Sequence, residues 1–128
     1  MTKNRKLANA IRKWLLDHDM WQDVTIYFDG KAYNTRDPEN GKFYYNDPSH
    51  LVEYEDDPSF YFDCVNPDNV SMSFEGPVCH MLYYDEYPRL KKSFDKIFER
   101  FGVYYEFGDH WNCTCYEKGD NNVSYTNA

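Results

Sequence analysis

Apolar side chains recur at helical spacing in two stretches of the chain. In the first, residues 3 to about 18, they fall at i, i+4, i+7, i+8 and i+11, the stripe of an amphipathic helix, and Thr2 precedes it as a candidate N-cap. The second stretch begins near Pro88 with the same spacing, and Gly102 follows it where a left-handed C-terminal cap belongs. The two stripes consist of Leu7, Ile11, Trp14, Leu15 and His18 and of Leu90, Phe94, Ile97, Phe98 and Phe101. We therefore predict two helices, each with one buried face.

Between and after these helices the pattern changes to the alternation of β-strands. The runs 24–28 and 31–35 flank Asp29-Gly30, the preferred dipeptide of a type I′ hairpin turn. Residues 69–75 alternate apolar and polar side chains up to Gly76-Pro77, from which a short helical segment is expected to run through Tyr84. A second hairpin is predicted around Gly108-Asp109. Of the short runs 42–45, 51–54 and 60–65, which Asp-Pro pairs separate, at least one should be a strand.

This order of elements predicts the class of the fold. We expect one α+β domain over residues 1–128, with a mostly antiparallel sheet and with the N-terminal helix and the second amphipathic helix packed on one face. The polar residues 119–128 are expected to form a frayed tail. No run approaches the roughly 20 apolar residues of a membrane span, and the amphipathic N-terminus lacks a signal-peptide cleavage pattern. We therefore expect a cytoplasmic protein without membrane contact, in the bacterial host cytoplasm if a phage encodes it.

Composition adds a marked excess of acidic and aromatic residues. The 128 residues carry 14 Lys and Arg against 22 Asp and Glu, a formal charge of -8, which argues against direct binding to nucleic acid and favours a basic partner. Aromatic residues reach 20%, with 13 tyrosines, at a mean hydropathy of -0.89. So many rings in so polar a chain leave tyrosines half exposed, which is typical of recognition surfaces.

The acidic residues are concentrated between positions 37 and 68, a segment that contains nine acids and only one cation, Lys42. Because aromatic residues alternate with these acids, the segment is too apolar for a disordered acidic tail, and we expect it to be folded. A folded surface of spaced carboxylates can resemble a phosphate backbone. The predicted partner-binding residues are Asp47, Glu53, Glu55, Asp56, Asp57, Tyr44, Tyr45 and Tyr54. The bland interpretation, a solvated surface that serves solubility, explains the same charges.

Cysteine and histidine do not indicate a metal site. The only close pair of thiols is Cys113-Thr114-Cys115, whereas structural zinc sites pair their ligands at C-x(2–4)-C spacing. On a strand these two cysteines share a face with Trp111, so we expect small core residues, reduced, and predict no metal and no cofactor. Known catalytic motifs are absent, although Glu106, Asp109 and His110 near a hairpin turn leave a metal-dependent hydrolase as an alternative.

Three segments resemble small uncharacterised proteins that phages and mobile elements of low-GC Gram-positive bacteria carry. They are NVSMSFEGP at 69–77, PRLKKSFDKIFERFGVYYEFG from Pro88 and HWNCTCY from His110, and the resemblance spans about residues 4–118. At the level of class, the chain is also similar to small, acidic, tyrosine-rich antirestriction and anti-CRISPR inhibitors. That similarity implies a DNA mimic that occupies the basic nucleic-acid channel of a defence nuclease.

These observations predict a non-enzymatic inhibitor that binds a basic protein surface, with a nucleic-acid-processing nuclease as the candidate partner. The alternative is a structural or regulatory interaction domain that binds through an aromatic patch elsewhere on the surface. Five cations precede the first acid, Asp17, so the basic N-terminal helix is expected either to touch nucleic acid held by the partner or to pair with the acidic face of a second copy. A homodimer is therefore an open alternative.

Overall fold

The computed structural model describes residues 1–119, which form three helices and six strands. In chain order these elements are α1 (Lys3–Asp17), β1 (Val24–Phe28), β2 (Lys31–Asn34), β3 (Glu53–Glu55), β4 (Ser71–Phe74), α2 (Gly76–Leu82), α3 (Pro88–Arg100), β5 (Val103–Asp109) and β6 (Asn112–Glu117), with a 3₁₀ turn at Pro58–Phe60. The predicted frayed tail lies outside the described residues, apart from Gly119. No described helix has the length and apolarity needed to cross a bilayer.

The six strands form one sheet in the order β3-β2-β1-β4-β6-β5, and every neighbouring pair is antiparallel. The Asp29-Gly30 hairpin is confirmed, because both residues have positive φ angles, 51° and 75°, as a type I′ turn requires. The hairpin of β5 and β6 is also confirmed, with a bulge between Phe107 and Asp109. The α+β class with an antiparallel sheet is thus correct.

All three helices pack on one face of the sheet and form the main core there. The N-cap prediction for α1 is confirmed, since the backbone N–H of Arg5 donates to Thr2 Oγ1 at 3.0 Å. Leu7, Ile11 and Leu15 are buried, whereas His18 is exposed and stacks on the Trp14 ring at 3.8 Å. In α3 the apolar stripe likewise faces the sheet, with Phe94, Ile97 and Phe98 buried. Gly102 ends this helix with a φ of 70°, as expected of a left-handed cap.

The opposite face of the sheet is covered by the connection between β3 and β4. Phe62 is the anchor of this connection: it is 8% exposed and packs edge-on against Tyr27 and Trp111. Asn66 adds two hydrogen bonds to β6, from its backbone N–H to Thr114 Oγ1 and from its amide to the carbonyl of Cys115. This connection holds the acidic segment against the sheet.

The prediction that at least one of the three short runs is a strand is confirmed, since the second run contributes β3, while residues 60–65 belong to the covering connection. Two other predictions are corrected. Ser71 was expected on a solvated face, but it is buried and hydrogen-bonded to Thr114 at 2.7 Å. Trp111 does not share the core of Cys113, because it precedes β6 at the hairpin turn and packs with Phe62 on the opposite face. Cys113 and Cys115 are nevertheless small core residues, as expected.

Candidate functional site: an acid-rimmed cleft

A cleft of about 650 Å³ lies at the hairpin-turn end of the sheet. Three parts of the chain enclose it: the end of β1 with its turn, the end of β3 with the 3₁₀ turn, and residues 65–69 of the covering connection. The turn after β1 lines the cleft because its two residues with left-handed backbone conformation, Asp29 and Gly30, reverse the chain sharply at this end of the sheet. The 3₁₀ turn at Pro58 also lines the cleft, because a proline has no N–H with which to continue the hydrogen bonds of β3. The cleft therefore arises where two strands end together.

Four carboxylates line this cleft, and none of its lining residues is a lysine or an arginine. They are Asp29, Glu55, Asp56 and Asp57, and we call them the acidic rim. Glu55 lies opposite Lys31 in the β2–β3 register, and no hydrogen bond of its side chain is found within residues 1–119. Although Lys31 neighbours Glu55, the lining itself holds no cation, so the four acids create a negative potential in the cleft, which a basic side chain of a partner would neutralise.

Local hydrogen bonds fix the other three carboxylates of the rim. Asp57 accepts from the backbone N–H and the hydroxyl of Ser59, at 2.9 and 2.8 Å, and these bonds lower its pKa below the ordinary value. Asp56 accepts from the Tyr61 hydroxyl at 2.9 Å. Asp29 accepts from the Thr2 hydroxyl and from Asn4. Each carboxylate has about four acceptor positions, so these bonds orient the rim without using up its capacity to bind a further donor.

The walls of the cleft are aromatic and apolar. Phe60 is 78% exposed and stands on the 3₁₀ turn beside the rim. Tyr27 contributes from the sheet, and its burial raises the pKa of its hydroxyl to about 12. An exposed phenyl ring next to carboxylates offers two kinds of contact to a cationic side chain, one with its apolar stem and one with its charge. The sequence analysis noted Phe60 among the aromatics of the acidic block without placing it in the site.

The other predicted binding residues do not join this cleft. Glu53 lies on β3 two residues before Glu55, but Arg5 of α1 forms a bidentate pair with it, at 3.0 and 2.9 Å. This pairing lowers the pKa of Glu53. Asp47 accepts from the backbone and hydroxyl of Ser49, which lowers its pKa as well. Both carboxylates are thus tied to partners within the chain.

The three predicted tyrosines are also tied within the chain. Tyr44 stacks on His50 with ring centroids 3.6 Å apart and accepts from Asn40. The Tyr45 hydroxyl donates to Asp23, which raises the pKa of Tyr45 to about 12. Tyr54 is half-buried against the small cluster of Tyr27, Ala32 and Phe62 under the covering connection, and Asn34 donates to its hydroxyl. None of the three lines the cleft.

A second surface feature, which the sequence analysis did not locate, is a set of exposed rings beside the β5–β6 hairpin. It consists of Tyr83, Tyr84 and Phe107, between 40% and 54% exposed, and we call it the aromatic patch. The ring of Tyr83 contacts those of Tyr84 and Phe107 edge-on, at 5.3 and 5.7 Å. The only signal in the sequence was the pair of consecutive tyrosines at the end of the predicted short helix, which in the structure ends two residues earlier, at Leu82.

The residues of the alternative hydrolase hypothesis lie on the β5–β6 hairpin. His110 Nδ1 is 2.8 Å from Asp109 Oδ1, and hydrogen bonds from His110 lower the pKa of Asp109. Within residues 1–119, no group of three or more His, Cys, Asp or Glu side chains is arranged to hold a metal ion. Cys79, Cys113 and Cys115 are buried, and burial raises the pKa of each of these thiols. The remaining thiol, Cys64, is exposed.

Comparison of the chain with protein-family models, with curated proteins and with solved structures finds no match.

Proposed function

We propose that the chain is a non-enzymatic binding protein that engages a basic surface of a partner protein through the acid-rimmed cleft, as an inhibitor that mimics nucleic acid. The observation that carries this proposal is the cleft itself, in which four carboxylates and an exposed phenyl ring meet without a lysine or arginine. The candidate partner is a nuclease of a defence system, because such an enzyme has a basic channel for nucleic acid.

The chemistry of recognition follows from the rim. A guanidinium group of the partner would form charge-assisted hydrogen bonds with Glu55 and Asp56 while its planar head packs against Phe60. The attraction between rim and channel would accelerate association at low ionic strength and weaken as salt screens it. A hydrophobic contact would not show this dependence on salt.

We take the binding residues of the proposal from the lining of the cleft. Glu55, Asp56 and Asp57 remain from the predicted set, and Asp29 and Phe60 join them because they line the same cleft. The remaining five, Asp47, Glu53, Tyr44, Tyr45 and Tyr54, lie outside the lining of the cleft and are not part of the proposed binding site.

The experiment uses a rim variant and a control variant of equal charge. The rim variant is Glu55→Gln/Asp56→Asn/Asp57→Asn, and the control is Glu39→Gln/Asp85→Asn/Glu106→Gln, whose acids are exposed and lie outside the cleft. Each protein is immobilised and used to capture partners from bacterial lysate that contains restriction and CRISPR enzymes, at low and then high salt. Captured proteins are identified by mass spectrometry and tested for binding to duplex DNA with and without the chain.

We expect wild type and control to retain a nuclease that salt releases and that loses its DNA when the chain binds. The rim variant should retain much less of it. Equal capture by the rim variant, or a captured nuclease that holds DNA and the chain at the same time, would contradict the proposal.

The aromatic patch favours a second candidate function, a structural or regulatory interaction domain. Tyr83, Tyr84 and Phe107 present contiguous ring surface, and such rings are enriched where proteins bind each other. A partner held by this patch should stay bound at high salt and be lost with Tyr84→Ala, while the rim variant retains it. Retention of every salt-resistant partner by Tyr84→Ala would remove this candidate.

A further inference from the structure

The cations of this acidic protein are concentrated on two helices. Helices α1 and α3 together hold ten of the 14 lysines and arginines, but only three of the 22 acids. The cations are Lys3, Arg5, Lys6, Arg12, Lys13, Arg89, Lys91, Lys92, Lys96 and Arg100, and the acids are Asp17, Asp95 and Glu99. Because both helices lie on one face of the sheet, the molecule has a basic side that its net charge conceals.

Most of the charge on α1 is compensated within the chain. Lys3 pairs with Glu117 at 2.9 Å, Arg5 with Glu53, and Lys13 with Asp17 at 2.7 Å. Arg12 is half-buried over the ring of Trp21. The basic N-terminal helix that the sequence singled out is therefore not the most open cationic surface.

That surface lies on α3. Arg89, Lys92, Lys96 and Arg100 recur at i, i+3, i+7 and i+11, so they form one stripe about 16 Å long on the helix. All four are exposed, on the side away from the buried Phe94, and no ion pair within residues 1–119 involves them. We call these four residues the basic stripe.

The basic stripe and the acidic rim lie at opposite ends of the sheet. Helix α3 packs on β5, where the rings of Phe98 and Tyr105 meet at 4.9 Å, and β5 is one edge strand. Glu55 of the rim ends β3, the other edge strand. Five strand spacings separate these edges, roughly 24 Å. Opposite charges at opposite ends cannot neutralise each other within one molecule.

We propose that the basic stripe is a docking surface for the acidic rim of a second copy of the chain. The contact joins two different surfaces, so it is head-to-tail: each added copy leaves one free stripe and one free rim, and assembly extends with concentration. A consequence that rests on the proposed function is that self-association covers the rim and competes with the partner.

A second copy fits the stripe better than nucleic acid does. The stripe belongs to a chain of net charge -8, whose remaining 19 acids lie outside α1 and α3 in the sequence, so repulsion opposes an extended polyanion that reaches beyond these two helices. The rim of a second copy is a compact group of four carboxylates that engages the stripe at one end of the molecule. The partner for this stripe is therefore a localised negative charge.

The test measures the mass of the purified chain by light scattering over a concentration series. At low ionic strength we expect the mass to rise above the 15.4 kDa of the monomer with concentration, and to return to it at about 1 M salt, where the Debye length falls to roughly 3 Å. Lys92→Glu/Lys96→Glu should stay monomeric. The matched control Lys6→Glu/Lys13→Glu, with the same change of charge on α1, should assemble like wild type.

A mixing experiment establishes which surfaces meet. The rim variant Glu55→Gln/Asp56→Asn/Asp57→Asn should also be monomeric alone, but mixed with Lys92→Glu/Lys96→Glu it should give particles of two chains and no larger, because one intact stripe and one intact rim remain and the neutralised rim has no charge with which to bind the reversed stripe. Formation of that dimer also shows that both variants are folded.

Four results would overturn the proposal: a wild type that stays monomeric at low salt, assembly of the stripe variant, loss of assembly in the α1 control, or a mixture that stays monomeric. Stripe-dependent binding of a duplex DNA probe without self-association would assign the stripe to phosphate instead. The proposed partner binding is tested separately, because the stripe variant leaves the rim intact.

Discussion

Replacing Phe62 by alanine should release the acidic segment from the sheet without touching a single acid. Phe62 is 8% exposed and fills the space between Tyr27 and Trp111, with ring centroids 5.9 and 5.6 Å away. Phe→Ala in a protein core costs about 3–5 kcal/mol, from lost burial and from the cavity that remains. The cluster around Phe62 has only three buried residues, Tyr27, Ala32 and Phe62 itself, and it lies near solvent, which can refill the space. We therefore expect a loss of stability at the lower end of this range, about 3 kcal/mol.

Phe60→Ala is the matched control, two residues away in the same segment. Its ring is 78% exposed, so its removal should change the free energy of unfolding by less than about 0.5 kcal/mol. Urea unfolding followed by tryptophan fluorescence gives both free energies. For a chain of this length, about 3 kcal/mol corresponds to a fall in Tm of roughly 10 °C.

Hydrogen exchange locates the effect of Phe62→Ala. Amide exchange should accelerate in residues 57–69, while α1 and α3, which pack on the other face, retain their protection at low denaturant. Partner capture should weaken as well, because the rim loses its fixed geometry. A loss of stability below about 1 kcal/mol, or exchange that rises equally in the helices, would refute the assignment of Phe62 as the anchor of this segment.

Three further predictions follow from individual contacts. Glu53→Gln should lower the Tm and spare partner capture, whereas Glu55→Gln should weaken partner capture and leave the Tm unchanged. Because the ion pair with Arg5 lowers the pKa of Glu53, the stability that Glu53 contributes is complete above its ordinary pKa of 4.5 and is lost as the pH falls below that value. A Tm difference between wild type and Glu53→Gln that persists in acid would contradict the ion pair. Burial and the hydrogen bond to Asp95 raise the pKa of Tyr105, so this residue stabilises the fold below about pH 10 and loses that contribution as the pH rises further. The Tm of Tyr105→Phe should therefore fall less at alkaline pH than the Tm of wild type, and identical pH profiles of the two proteins would contradict this. A disulfide reagent such as dithiobis-nitrobenzoate should titrate Cys64 quickly in the native chain and the other three thiols only after unfolding, and rapid release of all four would contradict their burial.

Elements with a local cause were predicted correctly from the sequence. The Asp29-Gly30 turn needs two positive φ angles, which this dipeptide adopts at low cost, and the apolar stripe of α3 follows from helical spacing alone. The aromatic run 60–65 was one of three candidates of which at least one was expected to be a strand. Pro58 begins a 3₁₀ turn immediately before, however, and Cys64 has a φ of 60°, so the backbone winds over the sheet instead of joining its edge.

The candidate site depends on contacts between residues that are distant in sequence. Glu53 and Glu55 are equivalent in the sequence: both are exposed acids on one strand and one face, two residues apart. Only the approach of Arg5, 48 residues earlier, assigns the first to stability and leaves the second to line the cleft. The density of acids along the sequence could therefore identify the acidic segment, but it could not distinguish the acids that stabilise the fold from those that line the cleft.

The same reasoning applies to the positive charges. A count along the chain places five cations before the first acid and so points to the N-terminal helix as the basic surface. Folding reverses that ranking, since acids from β3, from β6 and from α1 itself pair with three of those cations, while no ion pair within residues 1–119 involves the four cations of the basic stripe. Where a charge acts depends on which opposite charges the fold brings within a few ångströms of it. The basic stripe on α3 and the acidic rim of the cleft are thus two groups of charge toward opposite edges of the sheet that have no ion pair within residues 1–119, and variants at these two places are the ones that we expect to alter binding.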